Sequence, residues 1–326
     1  MHPAISHSDR QFSWTRRDFL RASTAAVAPL LLGTAPALAQ RHPPPGAEEL
    51  THYQLGPQIW LRWNNAPLTS YRAQPRQKYP YFYPLVGPVS GLSLTSETAL
   101  PWPHHRSMYF SCDRLNGGNY WQEDLDRGQI VSAGPRVVES TKTSAVIEDR
   151  CDWAVPGQEV QMTDRRRFSL SVTSPSHRLI DAEIEWTAVK DVTVLRTNHA
   201  LYSIRAAIDI SPWGGGHLVS SEGGVGEPET FGKPARWCAF YGRRTQAKGE
   251  PVEGIALMDH PSNPWAPCPW FTRDYGMISP MPFNWIEQPW RLPAGQSVHL
   301  KYRTVLFAGT PDEAGIDGLY RSWTGA

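Results

Sequence analysis

The sequence predicts an all-β fold, a large two-sheet antiparallel sandwich closed by a short C-terminal helix. Three observations carry this expectation. Runs of about four to eight residues alternate apolar and polar side chains, and Gly, Pro, Asn and Asp separate them. The 30 prolines and 14 tryptophans supply many turns and broad aromatic surfaces. Helical periodicity is scarce.

The chain opens on a segment that reads as an address. In "SWTRRDFLRAS", Arg16-Arg17 precedes a moderately apolar stretch ending in Ala37-Leu38-Ala39, a small-x-small cleavage site. A twin arginine ahead of a weak apolar region is the pattern of a Tat export signal. Pro29, Gly33 and Pro36 interrupt the stretch, which is shorter than the ~20 apolar residues a membrane span needs. The expectation is a leader over residues 1–39, a linker over 40–50, and a periplasmic or secreted protein.

One β domain is expected over residues 51–326. Alternation is read in "QIWLRWN", "SGLSLTS", "RSMYFSC", "QIVSAG", "TSAVIEDRCDWAV", "RRRFSLSVT", "LIDAEIEWTAV", "RWCAFYGR" and "SVHLKYRTVLFAG". The Gly-rich "SPWGGGHLVSSEGGVGEPE" reads as a long loop over one face, with a domain boundary near 210–230 as the alternative. At the C-terminus, Thr310 is a possible N-cap and Pro311 a first helical residue for "TPDEAGIDGLYRSW". No internal repeat is found, so propellers and solenoids lose ground.

Composition removes other classes. With 32 Lys+Arg against 31 Asp+Glu, the chain is near neutral, so neither nucleic acid nor an anionic membrane is an expected partner. No stretch after the leader approaches a membrane span. Cys112, Cys151, Cys238 and Cys268 lack CxxC spacing, which weighs against a cysteine-built metal site; structural disulfide and buried thiol both fit.

The chemistry-bearing residues begin with His104-His105-Arg106 in "PWPHHRSMYF". On a strand, neighbouring residues point to opposite faces, so only one histidine would join a given concavity. An isolated pair of this kind reads better as a polar turn before a strand, but two further segments shift the balance. In "LNGGNYWQ", Asn116 and its glycines precede Tyr120 and Trp121, which reads equally as a sugar platform or an ordinary hairpin turn. In the segment 256–285, Asp259-His260 and then Trp270, Arg273 and Asp274 suit a cleft wall, with a structural salt bridge as the competitor. Glu222 is a potential acid or base in the Gly-rich loop, though a solvated carboxylate is the plainer reading. Phosphate-cradle, GxSxG and HExxH motifs are absent.

Taken in order, "YPYFYPLVGPVSGLSLT", "PWPHHRSMYF", "LNGGNYW", "SSEGGVGEPETFGKPARW" and "DHPSNPWAPCPWFTRDYG" resemble a bacterial secreted family of unknown function labelled "methane oxygenase PmoA". The label is treated as an artefact, because the membrane methane monooxygenase subunit of that name spans the bilayer repeatedly. The resemblance implies a galactose-mutarotase-like supersandwich and a setting among carbohydrate-degrading bacteria. It also implies site roles for His104, His105, Arg106, Asn116, Trp121, Glu222, Asp259, His260, Asn263, Arg273 and Asp274. Two places depart from the family's strings. Thr197-Asn198-His199-Ala200 stands where a lysine and a glutamate are expected, and Phe271 where a histidine is expected. His199 offers a partial substitute as a base.

The leading expectation is an exported carbohydrate-active protein, a hydrolase, lyase or epimerase of a glycoside or oxidised sugar. Its acid–base groups would be His104, His105, Glu222 and Asp274. Arg106, Asn116, Tyr120, Trp121, His199, His260, Trp270 and Arg273 would bind the sugar. A non-catalytic carbohydrate-binding protein is the alternative. A copper or zinc protein ligated from among His104, His105, His199, His260 and an aspartate is the second alternative, so a metal ion is a possible cofactor though none is assigned.

Overall fold

Alternation along one central strand shows how the molecule is layered. In Met108–Leu115, Phe110 lies 5.8 Å from Trp153 and 5.9 Å from Trp186, both on strands of the facing sheet. The intervening residues Tyr109, Ser111 and Asp113 therefore point the other way, yet they too are buried. Both faces of this strand are covered, one by the second sheet and one by loops. Those loops hold the site described below.

The computed structural model describes residues 48–122 and 124–325. The expected leader at 1–39 and most of the expected linker at 40–50 lie outside the described residues. Two antiparallel sheets make up the fold, as the sequence predicts. The first runs Leu50–Leu55, Gln58–Trp63, Ala66–Arg72, Tyr81–Leu85, Met108–Leu115, Ala200–Arg205, Met277–Pro280 and Trp270–Arg273. The second runs His217–Ser220, Trp237–Arg243, Val252–Asp259, Ser297–Ala308, His177–Ala188, Met162–Ser174, Ser144–Ala154 and Gln129–Ser132.

Aromatic side chains fill the space between them. Besides the contacts of Phe110, Tyr202 of the first sheet stacks on Tyr302 of the second at 4.8 Å. The "DRRRF" run splits by period two. Arg166 turns inward and pairs with Asp164 at 2.7 Å, while Arg167 faces out to Glu139 and Glu148. Trp153 Nε1 also donates to Asp164 at 2.6 Å, so the buried carboxylate is fully engaged.

Local details correct several expectations. "SGLSLTS" forms only the isolated bridges Val86–Ser93 and Thr95–Ala206, not a strand. The Gly-rich segment is not one loop: it carries the edge strand His217–Ser220 and a short helix, Gly226–Thr230. The C-terminal helix is Ile316–Thr324 and starts after Gly315, whose φ of 62° is left-handed. Thr310 instead closes a separate turn, in which Glu313 N donates to its hydroxyl and its own N–H donates to Glu313 Oε2. All four cysteines are free and buried, and burial raises their thiols well above the usual range. No helix of the described residues is long and apolar enough to cross a membrane.

Candidate functional site

Ser107 and Arg205, Tyr109 and Ser203, Ser111 and Leu201 pair on the loop-covered face of the first sheet, where the strands Met108–Leu115 and Ala200–Arg205 run antiparallel. One step beyond the register, Asp113 N donates to the carbonyl of His199 at 2.9 Å. This places the loop before Ala200 over the same face as the loop before Met108.

His104-His105-Arg106 lies in that second loop, not at the start of a strand as expected. Pro101 and Pro103 have no N–H to pair. His105 N closes a turn on Trp102 O at 3.1 Å, and the Tyr79 hydroxyl donates to the His104 carbonyl. In a loop the rule of opposite faces lapses. Both histidines reach the same place, with their rings edge to face at 4.5 Å.

His199 completes a cluster. Its ring lies 5.8 Å from that of His104 and 6.5 Å from that of His105. One ring nitrogen from each residue falls within 4.8 Å of the other two. Asp113 orients the third ring: its Oδ2 stands 3.3 Å from His199 Nδ1, and Oδ1 accepts from the Thr197 hydroxyl. Beneath them, fully buried Trp121 packs 5.4 Å from the His199 ring.

Burial, followed by the charges of His199 and Arg106, holds His104 down at about 4. His105 is only 3% exposed. Burial, then His104, Arg205 and His199, lowers it to about 2. Both imidazoles are neutral at neutral pH. In that form each can offer a lone pair, as a general base or a ligand does.

A cavity of about 450 Å³ opens over the cluster. Trp102 and Tyr275 stack at 4.1 Å on its wall, and Trp213, 63% exposed, stands edge-on to Tyr275 at 5.7 Å. Arg273 also lines it, with its guanidinium 4.2 Å from the Phe231 ring and 4.5 Å from the Phe271 ring. Its Nη1 donates to Glu227 Oε1 at 2.7 Å. The ion pair therefore joins Arg273 to Glu227, not to its neighbour Asp274. Asp274 instead accepts from Glu227 N at 2.8 Å, at the start of the short helix.

Of the residues read from the sequence, the structure brings His104, His105, His199 and Arg273 to the cavity and sets Trp121 under it. The others lie elsewhere. Glu222 is exposed, bonded to Ser221 and 3.4 Å from Arg236. Asn116 is a hairpin turn residue with φ 47°; it accepts from Thr193 N and donates to Asp191 O. Tyr120 and Trp270 are fully buried core rings, so no sugar can stack on them. Arg106 lies over the Tyr81 ring at 5.7 Å, and His260 packs on Trp323 beside the C-terminal helix.

Five contributors escaped the sequence reading: Trp102, Asp113, Trp213, Glu227 and Tyr275. Trp102 and Tyr275 sat inside quoted motifs, "PWPHHR" and "RDYG", where proximity was a usable signal. Asp113 is paired with His199 only by the strand register.

Residues 58–321 match the model of a family described as being of unknown function, DUF6807. No curated protein matches. Among solved structures, a polysaccharide lyase aligns with 74% of this chain and 32% of its own, at 11% identity and a TM-score of 0.33. This chain thus spans about a third of that protein.

Proposed function

The chain belongs to the DUF6807 family, and we propose that it is an exported carbohydrate-active protein whose cleft over His104, His105 and His199 binds an oxidised sugar. The observation that carries this reading is the company the imidazoles keep. Stacked aromatic rings, a guanidinium and a carboxylate line one cavity of about 450 Å³, within the usual range for small-ligand sites. Aromatic faces take the C–H faces of a pyranose ring, and polar groups at their edge take its hydroxyls.

Arg273 directs the reading towards an acid. Glu227 occupies Nη1, and the remaining donors of the fork suit a substrate carboxylate. Lyase and epimerase reactions of a uronate begin by removing the proton next to that carboxylate. The charge that develops on it is what a fixed guanidinium stabilises. Neutral imidazoles supply lone pairs at the same cavity. Glu227, in place of Glu222, is the carboxylate at the cavity, where it holds the Arg273 guanidinium.

The test is product analysis after incubation with uronate-containing and neutral glycans. Unsaturated or epimerised uronate products are expected, and Arg273→Ala should abolish them. Binding without product would leave a carbohydrate-binding protein, and neither binding nor product would overturn the reading. Export rests on Arg16-Arg17: a Lys-Lys replacement should hold the precursor in the cytoplasm, and unchanged periplasmic appearance would contradict it.

A further inference from the structure

We propose that His104, His105 and His199 form a three-imidazole site for a divalent transition-metal ion of the zinc type, open to the cleft at its fourth position. The proposal deepens the reading of the cleft, and rests on it for the ion's role but not for its binding.

The geometry comes first. The three ring nitrogens lie within 4.8 Å of one another. Bonds of ~2.0–2.1 Å at the tetrahedral angle set ligand nitrogens about 3.3 Å apart. Closing the set takes movements of roughly an ångström or a little more, within the reach of ring rotation on loop residues.

Two independent features point to a ligand. His104 Nε2 and His105 Nδ1 are buried with no hydrogen-bond partner, although buried polar atoms in folded chains are almost always satisfied. An ion bound through these two atoms would satisfy both. The second feature is the carboxylate behind the third ring. Metal-bound histidines hand their other N–H to a carboxylate or carbonyl, which fixes the tautomer. Asp113 Oδ2 faces His199 Nδ1 at 3.3 Å, leaving the Nε2 lone pair for the ion.

The donor set selects the metal class. Imidazole suits zinc and copper, whereas magnesium and calcium require oxygen. Three protein ligands with one open position are the pattern of catalytic rather than structural zinc. Three neutral ligands leave the ion's double charge intact beside Arg273, which favours an anionic substrate. His260, the fourth histidine considered from sequence, bonds Ser262 and packs on Trp323 away from the cluster.

The test uses the mature protein after dialysis against a chelator. Zn²⁺ is added, excess is removed, and bound metal is counted. Co²⁺ is titrated in parallel and followed by visible absorption. One ion per chain is expected in the wild type and in His260→Ala, with an intense low-coordinate Co²⁺ spectrum. Affinity should fall at least about tenfold in His104→Ala and His199→Ala, each checked for folding by circular dichroism. No retained ion, a weak octahedral Co²⁺ spectrum, or wild-type affinity in both variants would overturn the proposal. If neither variant folds, the wild-type count and spectrum decide alone. A uronate oligomer titrated into both the chelator-treated and the zinc-loaded protein separates the two readings. Sugar binding without metal binding overturns this proposal only, and metal binding without sugar binding overturns the sugar cleft only.

Discussion

Asp113 Oδ2 and His199 Nδ1 stand 3.3 Å apart because Asp113 N and the His199 carbonyl bond at 2.9 Å just past the end of a strand pair. The sheet register thus fixes the ring that completes the histidine cluster. With a carboxylate at Nδ1, the proton stays there and the lone pair stays on Nε2.

Replacing Asp113 with Asn should reverse that tautomer. The amide N–H₂ would face Nδ1 and push the ring proton to Nε2, removing the lone pair from the cluster. Zinc affinity should fall by ~10–100-fold, the usual worth of such a supporting carboxylate. The melting temperature should change little, since Asn keeps the shape and can still accept from Thr197. Unchanged zinc affinity with a lowered melting temperature would make Asp113 purely structural.

Arg273 and Glu227 should respond with opposite signs. A charge-assisted hydrogen bond is worth ~1.5–3 kcal/mol, so Arg273→Ala should weaken an acidic oligosaccharide by roughly 10–100-fold while sparing its neutral counterpart. Glu227→Gln removes a like charge and should tighten the acidic ligand. Calorimetry with matched acidic and neutral oligomers measures both. Equal losses for the two ligands would remove Arg273 from carboxylate recognition.

Asp259 gives a pH signature away from the cleft. Burial raises its carboxyl from 3.8 to about 7, against the opposing bonds from Asn263 and the Cys268 backbone. The folded state therefore holds the proton more tightly than the unfolded chain. Its stabilising effect is complete below about 3.8 and is lost as pH rises through about 7. Asn at this position cannot ionise. The stability difference between wild type and Asp259→Asn should grow in favour of the variant from pH 4 to 7 and then level off. Parallel stability profiles would show that Asp259 does not titrate in that window.

The fold was legible because it rests on period two, which a single sequence displays. The strand alternation of "RRRFSLSVT" survives into a buried and a more open face, down to the inward turn of Arg166, whereas "RSMYFSC" is buried on both faces. The site was only half legible. His104 and His105 were visible as residue types, but applying strand geometry to a loop separated two rings that in fact meet. Asn116 and His260 looked equally functional, yet they serve a hairpin and a surface packing contact. Glu222 and Glu227 lie five positions apart in one Gly-rich run, and only the short helix Gly226–Thr230 brings the second to Arg273. Contacts between distant loops, such as those joining Trp102 to Tyr275, follow from sheet order and leave no local trace.

Calorimetric titration of a uronate oligomer into wild type and Trp213→Ala tests most directly whether the cleft over the histidines is the binding site. Trp213 is 63% exposed, so its removal should leave the fold intact. Losing its ring contact should cost on the order of 1–1.5 kcal/mol, or about tenfold in affinity. Tenfold weaker binding by a folded variant is the predicted result. Identical affinity in the two proteins, or no binding by the wild type, would contradict it.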